Sequence, residues 1–267
     1  MPTSIPFGAP IWVDANTPDL ASDLAFYTRL FGWTTFDSGE ETGHYTEFCL
    51  GTSAASARAV AGMVPNGPDQ PDRPSNWAVS FHVGDCVAAT MAAERLGGAT
   101  VTDPVRIGDD LVFAGLRDPE GGMFGLFEPL NDHMGFMAYG EPGAAAWFEY
   151  VYDGVPTEAM QFYAELLDWS VVVTDIEEPG EAAPPVELRL RESGVEFGGC
   201  HTAVGPETSL PPQWLVCFAT DSVDRTAAAA VAMGGSVVMP PGDDAALRTA
   251  TLASPAGAVF GIVAEGA

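Results

Sequence analysis

The sequence has no lysine. All ten basic residues are arginines, set against 37 aspartates and glutamates, for a formal net charge of −27. Without a lysine amine, a Schiff-base mechanism on this chain is excluded. An acidic field of this size repels phosphate backbones and anionic lipid surfaces, so neither a nucleic-acid nor a membrane partner is expected. It favours cations such as an amine or an amino sugar. A GC-rich coding bias with an acidic solubility surface, or adaptation to salt, accounts for the same composition without a functional role. Cysteine is scarce: Cys49, Cys86, Cys200 and Cys217 form no CxxC pair. That spacing gives no disulfide framework and fits a reducing, cytoplasmic setting. No apolar run approaches the roughly 20 residues that cross a bilayer. The start MPTSIPFGAP has neither a basic cluster nor a long apolar core, so no secretion signal is expected.

What remains is an ordinary globular composition, 47% hydrophobic and 18% charged over 267 residues, enough for two domains with cores of their own. The chain repeats itself. Phe26-Tyr27 and Trp33 return as Phe162-Tyr163 and Trp169, and Trp77 returns as Trp214. Gly97-Gly98 returns as Gly234-Gly235, and the turn from Asp118-Pro119 to Phe124-Gly125 returns as Ser254-Pro255 to Phe260-Gly261. All these markers keep their order at offsets of 136 or 137 positions.

Each half divides again. Residues 8–17 alternate as a strand, and Pro18-Asp19 opens a helix that runs to Phe31 and stops at Gly32. Three short strands follow, at Thr34–Asp37, His44–Gly51 and Ala57–Val64. The pattern restarts with a strand at Trp77–Val83 and a helix at Asp85–Leu96. Strands near Val101–Ile107, Leu111–Arg117 and Phe124–Glu128 complete the half. Residues 144–265 repeat the plan, with helices at Thr157–Leu167 and Val223–Met233. The expected organisation is a module over 1–130, a linker over 131–143 and a second module over 144–267.

This doubled βαβββ order, with FY..LFGW closing the first helix and DP.G..FGL before the last strand, resembles the vicinal oxygen chelate (glyoxalase/bleomycin-resistance/dioxygenase) superfamily. Within it, the chain resembles two-domain actinobacterial glyoxalase-like proteins. The resemblance spans nearly the whole chain and implies an α+β fold of four βαβββ units in two tandem modules with curved mixed sheets. It fixes no single chemistry, because the scaffold hosts lyases, dioxygenases and drug binders alike.

Metal-dependent members of that superfamily hold a divalent cation with His, Glu or Gln side chains on the inner sheet face. Carried over by position, the first-strand ligand falls on Trp12 and on Trp147 or Phe148. The last-strand ligand falls on Gly125 and Gly261. The restarting strands offer Trp77-Ala78 and Trp214-Leu215, and the fourth strands offer Met63 and Cys200, with Val64 and His201 next. Only Cys200 and His201 could donate to a metal, so no metal and no cofactor is expected. HExxH, GxSxG, the P-loop and the Rossmann glycine fingerprint are absent. His44 and Glu47 fall on opposite faces of a strand, His82 is mid-strand, and Cys86 reads as a buried structural cysteine.

Strand alternation puts Trp12 and Asp14 on one face and Ile11 and Val13 on the other; Trp147 and Glu149 match the first pair. Met123 and Phe127 share the parity of Gly125. The expected ligand-binding set is therefore Trp12, Asp14, Met63, Trp77, His82, Met123, Gly125, Phe127, Trp147, Glu149, Cys200, His201, Trp214 and Gly261. The two glycines are expected to leave open floor under a flat ligand. Aromatic walls, pliable methionines and one carboxylate per module suit a planar, largely apolar and cationic small molecule. The same inward side chains would equally fill a closed core.

Three readings follow. The first is a metal-free protein that sequesters an aromatic natural product, for self-resistance or as an accessory to aromatic-polyketide (anthracycline-type) biosynthesis. The second is a cofactor-free enzyme with Asp14 or Glu149 as general base. The third is a metal-dependent glyoxalase or dioxygenase. A monomer and a homodimer both fit.

Overall fold

The computed structural model describes residues 5–53, 56–174, 183–244 and 247–266. Its first half runs β1 (Pro10–Thr17), α1 (Leu20–Phe31), β2 (Thr34–Asp37), β3 (Thr46–Leu50) and β4 (Arg58–Pro65). There follow β5 (Asn76–His82), α2 (Cys86–Arg95), β6 (Ala99–Ile107), β7 (Leu111–Arg117) and β8 (Met123–Pro129). The second half repeats the order as β9 (Ala145–Tyr152), α3 (Pro156–Leu167), β10 (Trp169–Val173), β11 (Val186–Leu190) and β12 (Glu196–Thr202). It ends with β13 (Gln213–Ala219), α4 (Val223–Ala232), β14 (Ser236–Asp244), β15 (Leu247–Ala253) and β16 (Val259–Glu265). The four βαβββ units and the α+β class are as the sequence pattern predicts. A short 3-10 turn over Gly205–Ser209 lies between β12 and β13.

Each half makes one eight-stranded mixed sheet, ordered β2-β3-β4-β1-β5-β8-β7-β6 and β10-β11-β12-β9-β13-β16-β15-β14. The pairs β1/β4, β5/β8, β9/β12 and β13/β16 are parallel, as a crossover helix requires.

The helix ends follow from their residues. Asp19 caps α1 by accepting from the Ser22 amide, and Gly32 ends it at φ 70° in the left-handed region. At the matching end of α3, Asp168 takes φ 54°, and its carboxylate accepts from Arg191 Nε at 2.6 Å. Asp85 caps α2 and Ser222 caps α4 in the same way as Asp19.

By proximity the chain gathers into two compact units, and each takes one βαβββ segment from either half. The first comprises Met1–Trp12, Val79–Gly135 and Phe148–Trp214; the second comprises Val13–Ala78, Phe136–Trp147 and Leu215–Ala267. The repeat markers are the cores of these units. In the first, the Tyr163 hydroxyl accepts from Trp214 Nε1 at 2.9 Å and donates to Asp118 Oδ2 at 2.7 Å. Asp118 Oδ1 accepts the Gly121 and Gly122 amides at 2.8 and 2.9 Å, so the DP.G turn is tied to α3. Trp169 stacks on Tyr163 with centroids 5.4 Å apart, and Phe124 meets its edge at 5.2 Å. Trp169 Nε1 donates to the Gly8 carbonyl at 2.8 Å.

The second unit repeats this with different partners. Tyr27 accepts from Trp77 Nε1 at 3.0 Å, and Ser254, the counterpart of Asp118, is its partner from the turn. Trp33 Nε1 donates to the Gly143 carbonyl at 2.7 Å. The buried acid has changed position: where the first unit has Asp118 on the turn and Ala159 on the helix, the second has Ser254 on the turn and Asp23 on the helix. Asp23 accepts from Ser75 Oγ at 3.1 Å. Both tyrosines are fully buried, and burial drives both phenols far above their ordinary range.

Tyr163→Phe removes Trp214's acceptor and one of Asp118's donors inside the core. A loss of about 1–3 kcal/mol is expected, with a similar loss for Tyr27→Phe, read from urea unfolding. A variant as stable as the wild type would show these hydroxyls to be dispensable.

Candidate functional site

The aromatic core occupies the helix-facing side of each sheet, which leaves the opposite face for a site. In β1, Ile11, Val13 and Ala15 are fully buried and alternate with Trp12, Asp14 and Asn16. In β9, Phe148 and Tyr150 are fully buried and alternate with Trp147 and Glu149. Trp12 with Asp14 and Trp147 with Glu149 thus take the face away from the helices, as alternation predicts.

Four residues of the expected binding set lie elsewhere. Trp77 and Trp214 donate to helix tyrosines and belong to the core. Met63 is fully buried and pairs with Ala15, and Cys200 is fully buried and pairs with Tyr150, so both point to the helix side. The outward positions on β4 and β12 are one residue earlier, at Gly62 and Gly199. Alternation fixes faces within a strand, while the relation between strands needs their register.

Gly62 pairs with Asp14 on one side and Glu47 on the other. Gly199 pairs with Glu149 and Glu187 in the same manner. Each module therefore sets a glycine between two acids. A Cβ on Gly62 would overlap Tyr45 Oη and Asp14 Oδ1, and one on Gly199 would lie 2.8 Å from Glu149 Oε2. The glycines leave room for polar groups crossing over bare backbone. Tyr45 Oη donates to Asp14 Oδ1 at 2.5 Å, and desolvation raises the half-buried Glu47 carboxyl above its usual range.

In the second module the equivalent group is ionic. His201 Nδ1 lies 2.7 Å from Glu149 Oε1 and its Nε2 3.2 Å from Glu207 Oε2. Burial lowers the imidazole pKa, but hydrogen bonds and charge from the two glutamates outweigh it and lift the group to about 10. His201 is an imidazolium at neutral pH. Burial raises Glu207, and the bond to His201 more than offsets that, leaving its carboxyl below the usual range. Glu187 accepts from Arg189 Nη2 at 2.6 Å. With both ring nitrogens committed to carboxylates, His201 has no lone pair for a cation.

Gly125 pairs with Ser80, and Gly261 with Cys217. The expectation of open floor there is corrected: a Cβ at Gly125 would overlap Ser80 Oγ, and one at Gly261 would overlap Cys217 Sγ. The neighbouring side chains already cover the bare backbone. His82 and Phe127 pair on this same outward face, and His82 Nδ1 lies 3.0 Å from the Pro6 carbonyl oxygen. Met123 keeps the parity of Phe127 and is partly exposed. Burial pushes the Cys86 thiol up to about 11, which removes it as a nucleophile at neutral pH.

A divalent cation does not fit this donor set. The outward positions on the four inner strands of the first sheet include Trp12, Gly62, Ser80 and Gly125, and those of the second include Trp147, Gly199, Cys217 and Gly261. Among the described residues no cluster of three or more His, Cys, Asp or Glu is arranged to hold a metal ion. Sequence reading missed Tyr45, Glu47, Gly62, Glu187, Gly199 and Glu207. Glu207 lies on the 3-10 turn, and only its six-residue distance from His201 hinted at a link.

Comparison with known proteins places this geometry. Residues 10–126 match the Glyoxalase/Bleomycin resistance protein/Dioxygenase superfamily model, and residues 151–263 match a glyoxalase-like domain model. A Mycobacterium bovis protein with the provisional glyoxylase name CFP32 is 33% identical over 259 residues, 96% of this chain and 94% of its own. The anthracycline biosynthesis protein DnrV of Streptomyces peucetius is 33% identical over 272 residues, 96% of this chain and 93% of its own. In fold, the chain is similar to the Mn(II)-bound glyoxalase of Novosphingobium aromaticivorans, at TM-score 0.62 and 16% identity over 97% of this chain and 83% of that one.

Gly125→Ala should destabilise the protein by about 1–3 kcal/mol, and Ser80→Ala should recover part of the loss in the double variant. Additive losses in thermal or urea unfolding would refute the pairing. For His201, a pKa raised from 6.5 to about 10 stabilises the fold fully below pH 6.5, and this contribution is lost as pH rises toward 10. The stability gap between wild type and His201→Gln should therefore narrow from pH 6.5 to pH 10. A gap independent of pH would contradict the ionic clamp.

Proposed function

Given that the chain belongs to the glyoxalase/bleomycin resistance protein/dioxygenase superfamily, we propose that it is a metal-free binder of a planar aromatic natural product. Its role would be self-resistance or accessory to the biosynthesis of an aromatic polyketide of the anthracycline type. One observation carries the reading: the acids and histidine on the outward face are tied to one another, as in Tyr45–Asp14 and Glu149–His201–Glu207, and among the described residues no three are arranged around a cation. Without a cation to coordinate, shape and apolar contact are the means of recognition. The relatives named for anthracycline biosynthesis support the choice of ligand class. The absence of lysine and the net charge of −27 support a cationic substituent on it.

A second reading has one observation in its favour. Glu149 sits 2.7 Å from the His201 imidazole, which is the contact a cofactor-free acid–base pair requires. In that case Glu149→Gln abolishes turnover while leaving ligand affinity nearly intact.

The test is a titration of intrinsic tryptophan fluorescence with a panel of planar aromatic compounds that includes the anthracycline doxorubicin. Saturable quenching is expected with at least one member. A flat response across the panel overturns the binding reading, as does a stoichiometric divalent ion in elemental analysis of purified protein.

A further inference from the structure

The two sheets repeat one pairing register, so each can be compared with the other position by position. In the first, Gly115 pairs with Gly125 and Phe113 with Phe127; in the second, Thr251 pairs with Gly261 and Thr249 with Val263. On the flanking strand, Val105 pairs with Phe113 and Ile107 with Leu111, while Gly242 pairs with Thr249. The same outward positions thus hold Phe113, Phe127 and Val105 in one half and Thr249, Val263 and Gly242 in the other. The repeat keeps Gly125 and Gly261 at matching places in one register, so the two faces can be compared side chain for side chain.

Phe113 and Phe127 also differ from the other rings of their sheet. Phe81 and Phe124, on the helix side of β5 and β8, are packed at 6.1 and 5.2 Å from Tyr163. No other ring stacks on Phe113 or Phe127 among the described residues. Phe127 is buried as a floor, Phe113 is half-buried, and Val105 and Ile107 are 45% and 48% exposed beside them. Ser80, Val105, Ile107, Phe113, Gly125 and Phe127 carry no formal charge, on a chain whose net charge is −27. These six side chains match the neutral face of a ring system and not its charged substituent. On the second sheet the corresponding strands offer short β-branched and hydroxyl side chains, which give a ring little area.

We infer that the planar part of the ligand is seated on the first sheet alone, against Phe113 and Phe127, and that one chain takes one such ligand. This rests on the binding reading above and adds to it a location and a stoichiometry.

Isothermal titration calorimetry of the full chain, with doxorubicin as probe, tests it. One site per chain is expected. Affinity should fall about tenfold or more in Phe113→Ala, where a stacking surface and its apolar area are lost together. It should fall several-fold in Ile107→Ser, whose half-exposed position spares the fold, and stay unchanged in Thr249→Ala. Two equivalent sites, an equal loss in Thr249→Ala, or full affinity in both first-sheet variants overturns the inference while leaving the binding reading intact. A wild type that binds no member of the aromatic panel overturns both.

Discussion

The structure depends on a buried tyrosine hydroxyl, used once in each compact unit. Tyr163 joins three elements through one oxygen: it receives the Trp214 indole proton from a strand, sits on α3, and donates to Asp118 on the DP.G turn. Tyr27 holds the matching place with Trp77 and Ser254. A hydroxyl buried this deeply is costly unless both its donor and its acceptor capacities are met. The sequence therefore fixes tryptophan, tyrosine and a polar turn residue together, and these are the markers by which its repeat is visible. Each unit has one buried carboxylate acting on its phenol, Asp118 on a turn through a hydrogen bond and Asp23 on a helix through its charge.

With the helix side given over to this core, the outer face is free to vary, and glycine governs what it does. At Gly62, Gly125, Gly199 and Gly261 the missing side chain is replaced by a neighbour leaning across: Tyr45 and Asp14, Ser80, Glu149, and Cys217. Elsewhere on this face the polar groups are bonded to one another. The two modules then diverge. One acid position, Asp14, is held by a phenol, while its counterpart Glu149 is held by an imidazolium clamped on both nitrogens.

Much of the fold could be read from the chain alone. Element order, the αL stop at Gly32 and the repeat at 136–137 positions follow from periodicity, capping and turn chemistry, which are local. The site was legible only along single strands. Trp12, Asp14, Trp147 and Glu149 were placed on their correct face because alternation within a strand is local too. Met63, Cys200, Trp77 and Trp214 were not, because which residue of β4 lies beside Asp14 is decided by inter-strand register. The open floor at Gly125 failed for a related reason: glycine reports that something occupies the space, not whether that something is a ligand or Ser80. Glu207 came from a turn whose fold had no periodic signature.

The exchange of segments between the two compact units has a historical implication. A polypeptide ending near residue 135 would own the Tyr27 helix without the Ser254 turn, and the Asp118 turn without the Tyr163 helix. Such a half-length ancestor could complete neither centre by itself. Two copies could complete both, each lending its turn to the other's helix. The present chain has the arrangement of such a pair joined end to end, with its buried acid at Asp118 in one unit and at Asp23 in the other.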